Sequence, residues 1–339
     1  MKFFNKFGLM AMALCASAFM LTACSDDDNN GGGEGGGGGN GENAAPSITD
    51  KDGNSVQVTE LNGISFNYDA DGKLISFGNG YETYSFNKGV LTVSDGDGMT
   101  MKLTLNGNGV ISQIKMTENY DDEKSDLTIN YSYNSSMQLT GASVEGSDSW
   151  DYDGEKGSST TSGSVTNTWT NGNMVKSVWS GGETGEEDGH SFTYKETATY
   201  EYTYSSTENE SKQFPYSLIS IVGSDEDATG ILGVVGLFGT GTTNLPTKRV
   251  CTRVEEEDGD KYTYTNSADI SFELNENGTI KKETIDYETY YYGYSNETDQ
   301  EDEVANGPAV ASRATVEQAK SLMPAIKSLR KQLFKHSRK

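Results

Sequence analysis

Leu103-Thr104-Leu105 runs into Asn106-Gly107-Asn108-Gly109 and out again through Val110 to Ile114. Apolar and polar residues alternate on both sides of the turn, which places one face of each strand on a core and the other in water. Asn and Gly tolerate the positive φ that a tight hairpin turn demands. The same unit recurs. Phe66-Asn67-Tyr68 leads through Asp69-Ala70-Asp71-Gly72 to Leu74–Phe77, and Tyr84-Ser85-Phe86 leads through Asn87-Lys88-Gly89 to Val90–Val93. Tyr131-Ser132-Tyr133, Thr168-Trp169-Thr170 and Phe272-Glu273-Leu274 each enter an Asn-headed turn and leave as a second strand. Tyr200 to Tyr204 and Tyr262-Thr263-Tyr264 read as strand cores without a tight turn. Adjacent strands joined by short turns predict an all-β, antiparallel up-and-down meander. We expect a strongly curved or closed, soluble, β-barrel-like sheet with aromatics inside and charges outside, because closure removes exposed edges.

Between these units the reading changes. Gly146 to Thr161 and Gly181 to Gly189 are rich in Gly, Ser and Glu and read as loops. Ile231 to Phe238 is apolar but too short to span a bilayer as a helix. It reads as a buried short helix or plug, or as a loop that contacts lipid or a partner. In the tail, Thr315-Val316-Glu317-Gln318 is a capping-box pattern. Leu322, Ile326, Leu329 and Leu333 then share a helical face, with Pro324 as a kink. This predicts a C-terminal amphipathic helix. The domain plan is a signal at 1–23, a tether at 24–45, a β-meander at 46–300, and a linker with the basic tail at 301–339.

Composition narrows the function. The chain has 339 residues with 26 Lys+Arg and 51 Asp+Glu, a formal charge of −25. Residues 313–339 hold eight basic residues and one acid, whereas residues 24–312 carry −34. So acidic a body argues against a nucleic-acid partner. Two His and three Cys leave little for a zinc or iron–sulfur site, and no cofactor or metal is expected.

The N-terminus reads as a secretory signal. Lys2 and Lys6 precede an uncharged, mostly apolar stretch from Phe7 to Ala23, ending in Leu21-Thr22-Ala23-Cys24. That ending resembles the bacterial lipobox, which makes Cys24 the expected lipidation (palmitate) site and membrane anchor. Stable anchoring takes more than one acyl chain. Ser25-Asp26-Asp27-Asp28-Asn29-Asn30 resembles the acidic export signal of Bacteroidetes lipoproteins, which implies the outer face of the outer membrane. Gly31 to Asn43 is almost all Gly, Asn and Glu and is expected to be a flexible tether.

Taken with the tyrosine hairpins and the apolar segment closing in Asn244-Leu245-Pro246-Thr247-Lys248, the chain resembles a Bacteroidetes lipoprotein family of unknown function with a porin-like β fold. The resemblance implies a fold and an address, and no catalytic residue comes with it. A more distant similarity is to the tyrosine–aspartate repeats of Rhs-type proteins.

Candidate sites are few. Asp69-Ala70-Asp71-Gly72, Asp95-Gly96-Asp97-Gly98 and Asp225-Glu226-Asp227 carry oxygen ligands but lack the spacing of a twelve-residue calcium loop, and read as turns. His190 reads as a surface histidine, and Gly239-Thr240-Gly241 lacks the context of a phosphate loop. No acid pair stands out for hydrolysis, so an enzyme is not expected. Trp150, Trp169, Trp179 and Tyr290-Tyr291-Tyr292 could stack on sugars or pack across strands. Trp150 is the ligand-stacking candidate. The expected function is a surface-displayed β-scaffold that binds a glycan or small amphiphile. The alternative is a structural or partner-binding envelope lipoprotein.

Overall fold

The computed structural model describes residues 47–78, 83–87, 90–93, 100–119, 123–152, 155–221, 228–257 and 259–296. Cys24, the signal, the tether, the turns at Asp95 and Asp225, and the expected tail helix lie outside the described residues.

A small hairpin, β1 (Ile48–Thr49) and β2 (Ser55–Val56), stands apart. One antiparallel ladder then follows chain order. Its short strands are β3 (Val58–Leu61), β4 (Ile64–Tyr68), β5 (Leu74–Gly78), β6 (Thr83–Asn87), β7 (Val90–Val93), β8 (Thr100–Leu105) and β9 (Ile111–Asn119). The long ones are β10 (Glu123–Tyr133), β11 (Leu139–Tyr152), β12 (Glu155–Thr170), β13 (Asn173–Glu187), β14 (His190–Glu208), β15 (Asn244–Glu257) and β16 (Asp260–Leu274). Two short strands end it, β17 (Ile280–Ile285) and β18 (Glu288–Tyr294), and β18 returns to pair with β3 through Tyr292–Leu61 and Gly293–Glu60. The all-β antiparallel meander is as expected. Its pairings run in a ring at the base. Above the short strands, the long strands β10–β16 continue as a curved sheet.

The base turns are those the Asn/Asp/Gly signals mark. Asn171 and Gly172 both take positive φ (50° and 76°), the conformation a two-residue hairpin requires. At Asp69 the carboxylate accepts the N–H groups of Asp71 and Lys73 at 2.9 Å, which is turn chemistry. One base connection is long. Residues 209–221 and 228–243 hold a 3-10 turn (Tyr216–Ile221) and α1 (Ala228–Val234) and fill the ring as a plug. Leu232, Val234, Val235, Leu237 and Phe238 are buried. Leu237 C=O accepts from Ile111 N–H at 2.9 Å, and the Phe238 ring packs on Tyr131 with centroids 4.9 Å apart. No described helix is long and apolar enough to cross a membrane.

Two expected loops are strands. Of the first, residues 146–152 lie in β11 and 155–161 in β12, and Gly181–Gly189 belongs to β13 and its turn into β14. Inner-face glycines there lie under aromatic rings. A Cβ on Gly157 would meet the Trp150 indole at 2.2 Å, one on Gly181 the Trp179 ring at 2.4 Å, and one on Gly185 the Phe192 ring at 2.6 Å. The ring supplies the apolar cover that the glycine lacks, a known device for holding glycine in a sheet.

The inward face is not purely apolar, against expectation. Glu183, Glu196 and Glu283 are buried within it. The outward face carries Ser and Thr as much as charge: Ser158, Thr160, Ser162, Thr166, Thr168 and Thr170 on β12 are exposed. This polarity is the reverse of a membrane-embedded barrel, whose outward band is apolar.

Candidate functional site

The far ends of β10–β14 bear a trough of about 700 Å³ on the outer face. Cross-strand register builds it as two rows. Lys124, Ser149, Ser158, Glu186 and Ser191 lie opposite one another in turn, and Asp126, Ser147, Thr160, Thr184 and Thr193 form the second row. Neighbouring strands are ~4.8 Å apart, so each row spans roughly 19 Å. The small side chains of β11 and β12 sit mid-row and leave the depression. Thr160 and Thr184 hydroxyls are 3.3 Å apart and share a hydrogen.

Each hydroxyl can donate and accept, so the trough is suited to a ligand rich in hydroxyls. Asp126 and Glu186 add acceptors and Lys124 adds donors. Asp126 and Glu186, the carboxylates of the two rows, are three strands apart, roughly 14 Å. Glycoside hydrolysis works with pairs ~5–10 Å apart, so these two do not form such a pair.

Asp148, Ser159, Gly185 and Phe192 alternate with the rows and complete the lining. Near them the inner face buries an acidic belt. Burial pushes the Asp148 carboxyl up, partly offset by the Ser125 hydroxyl and reinforced by Asp126. Burial also raises Glu183, partly offset by Ser159 and reinforced by Asp148. Glu196 is raised by burial too, although the Arg253 Nε is 3.1 Å away and the Tyr194 hydroxyl donates to it at 2.9 Å.

Trp150 lies in β11 rather than in a loop. It is 8% exposed, faces inward, and is not among the trough residues. Trp169 donates its indole N–H to the Leu139 carbonyl at 2.8 Å, and Trp179 is buried. The three adjacent tyrosines separate by face: Tyr292 donates to Glu283 at 2.6 Å, Tyr290 packs on Tyr216 at 4.0 Å, and Tyr291 is exposed. His190 is exposed at the β13–β14 turn. Gly239 and Gly241 pack against the Met137 and Gln213 carbonyls, a close approach of backbones. Among the described residues, no group of three or more His, Cys, Asp or Glu is placed to hold a metal.

The trough rows fall within stretches whose composition reads as loop. The signal that marks them is the placement of glycine rather than polarity: Gly157 and Gly163 face inward while Ser158, Thr160 and Ser162 face outward.

No protein-family model and no curated protein matches the chain. Among solved structures, a porin-like protein from Bacteroides uniformis ATCC 8492 is similar at 15% identity and a TM-score of 0.38. The match covers 70% of this chain and 94% of that one.

Proposed function

We propose that the chain is a surface-displayed, lipid-anchored binding protein of the outer membrane that holds a glycan in the trough of β10–β14 and performs no catalysis. The two rows across five strands carry this reading, because the hydroxyls of β11–β14 and the charged ends of Lys124, Asp126 and Glu186 match the hydrogen-bonding groups of a sugar. They favour a glycan over a small amphiphile, which would need apolar lining. The outward Ser/Thr face supports a body held in water, and Cys24 followed by the Gly31–Asn43 tether supports display from a lipid anchor.

With no aromatic ring on the outer rows, affinity comes from hydrogen bonds worth ~0.5–1.5 kcal/mol each. Binding is therefore weak per site and gains from multivalent display.

A thermal-shift screen of the mature chain carrying Cys24→Ser, against soluble glycans, tests the binding reading. One glycan class should raise the melting temperature, and a flat panel contradicts it. Fractionation tests the anchor: the Cys24→Ser chain should leave the membrane fraction, and its retention there contradicts the lipid attachment.

A further inference from the structure

The curved sheet of β10–β16 ends in a free edge. β15 pairs with β16 without a bulge from Lys248–Asp269 to Glu257–Asp260. On its other side, β16 meets β17 only from Ile270 to Leu274. Asp269 marks the boundary: its C=O accepts from Asp286 N–H, and its N–H donates to the Asp286 carboxylate, both at 2.9 Å. Its backbone groups thus point to the β17 side. Because backbone direction alternates along a strand, Lys261, Thr263, Thr265 and Ser267 point their N–H and C=O groups the same way. Among the described residues these groups have no backbone partner on that side. All eight residues from Asp260 to Ser267 are exposed. Natural edges are usually blunted by Pro, bulges or several charges, and here there are only Asp260 and Lys261 at the start of the stretch.

We propose that this edge pairs with the same edge of a second copy, antiparallel about a two-fold axis at Thr263. Several observations select that register. Any residue-centred axis sets outward-pointing residues against each other, so the ends of the free stretch decide. Centring at Tyr262 would set Ser267 opposite Glu257, beyond the second copy's turn, and centring at Tyr264 would set Gly259 opposite Asp269, whose backbone groups are taken. Centring at Thr265 would place Lys261 opposite Asp269, whose backbone groups are already taken. Centring at Thr263 places Lys261 opposite Thr265, Tyr262 opposite Tyr264, and Gly259 opposite Ser267. The second strand then ends at its own turn just short of Asp269, so the free length is used and β17 is not displaced. On the inner face, Tyr262 and Tyr264, which are 46% and 47% exposed, become two cross-strand aromatic pairs. Asp260 falls opposite Asn266, and no like charges face each other. The interface is isologous, as a two-fold dimer requires. It also doubles the outer-face sites on one particle, though it does not depend on what they bind.

The test uses the mature Cys24→Ser chain. Sedimentation velocity over a wide concentration range should show a monomer–dimer equilibrium. Thr263→Lys, which sets two like charges face to face at the axis, should weaken it at least tenfold with an unchanged circular dichroism spectrum. A register test adds cysteines. Directly opposed residues that are not hydrogen-bonded lie ~4.5 Å apart between Cα atoms, within disulfide reach, whereas diagonal ones lie ~7–8 Å apart. Mixing Tyr262→Cys and Tyr264→Cys chains under oxidation should give a dimer linked between positions 262 and 264, and neither chain alone should match its yield. A monomer at every concentration overturns the proposal, as does a dimer indifferent to Thr263→Lys or equal cross-linking without mixing. A monomer that loses thermal stability on Thr263→Lys also overturns it, and assigns the edge to another part of this chain.

Discussion

The Trp150 indole covers Gly157 so closely that a Cβ on the glycine would stand 2.2 Å from the ring. The two residues face each other across β11 and β12 in register. The pair explains why so glycine-rich a hairpin is sheet: the ring shields a backbone that would otherwise be bare on its inner side. Gly157→Ala must therefore move the ring, and the Glu186 carbonyl at 2.8 Å blocks the new methyl from another direction. Overpacking of this kind costs ~1–3 kcal/mol. Denaturant unfolding should show that loss together with a changed tryptophan emission. Gly107→Ala, with nothing within 4 Å, should be nearly neutral.

Glu283 fastens the plug to the wall. Its carboxylate accepts from Tyr216 N–H at 2.7 Å, Ser217 N–H at 2.9 Å and the Tyr292 hydroxyl at 2.6 Å. Burial raises its pKa, and those donors offset only part of the cost. Glu283→Ala leaves three donors without this acceptor, each worth ~1–3 kcal/mol when buried. We expect a loss of about 3 kcal/mol or more by denaturant unfolding, and a smaller loss for Glu283→Gln, which keeps one acceptor oxygen.

Stability should rise on mild acidification. Asp148, Glu183 and Glu196 all have folded-state pKa values raised mainly by burial. Between the ordinary carboxylate range and those raised values, the folded state binds more protons than the unfolded state. Stability then falls as pH rises through that window, and the benefit is fully present at its acid end. Asp50 acts oppositely: its side-chain bond with Asn54 lowers its pKa, so its contribution is lost only as pH falls below the ordinary range. Melting temperature measured from pH 8 downward should climb, and Glu183→Gln should flatten the climb. An equal slope in wild type and variant would contradict this assignment.

The turns and the meander were legible because Asn/Asp/Gly chemistry acts locally. At Asp69 and Asn171 it dictates the backbone whatever lies around it. The plug at Ile231–Phe238 was legible as an apolar run, but its ring-filling role depends on strands far away in sequence. The β11–β13 hairpins were hidden, because Gly/Ser/Thr alternation shows no polarity period and Trp150 and Trp179 cover glycines on other strands or at other positions. The trough was hidden for the same reason: Ser158 and Thr160 become a site only when register sets them beside Ser149, Ser147 and Thr184. The buried acids were not legible either, since nothing along β13 distinguishes inward Glu183 from outward Glu186 until the facing of the strand is known.

The most direct test of the binding account is titration of the mature Cys24→Ser chain with the glycan class that raises its melting temperature. It should be run beside a Ser158→Trp variant, which fills the middle of the trough from the outer face of β12. The account predicts that Ser158→Trp weakens binding at least tenfold while the unfolding midpoint stays within experimental error of the parent. Equal affinity in the two proteins would place the ligand elsewhere and contradict the trough as the binding site.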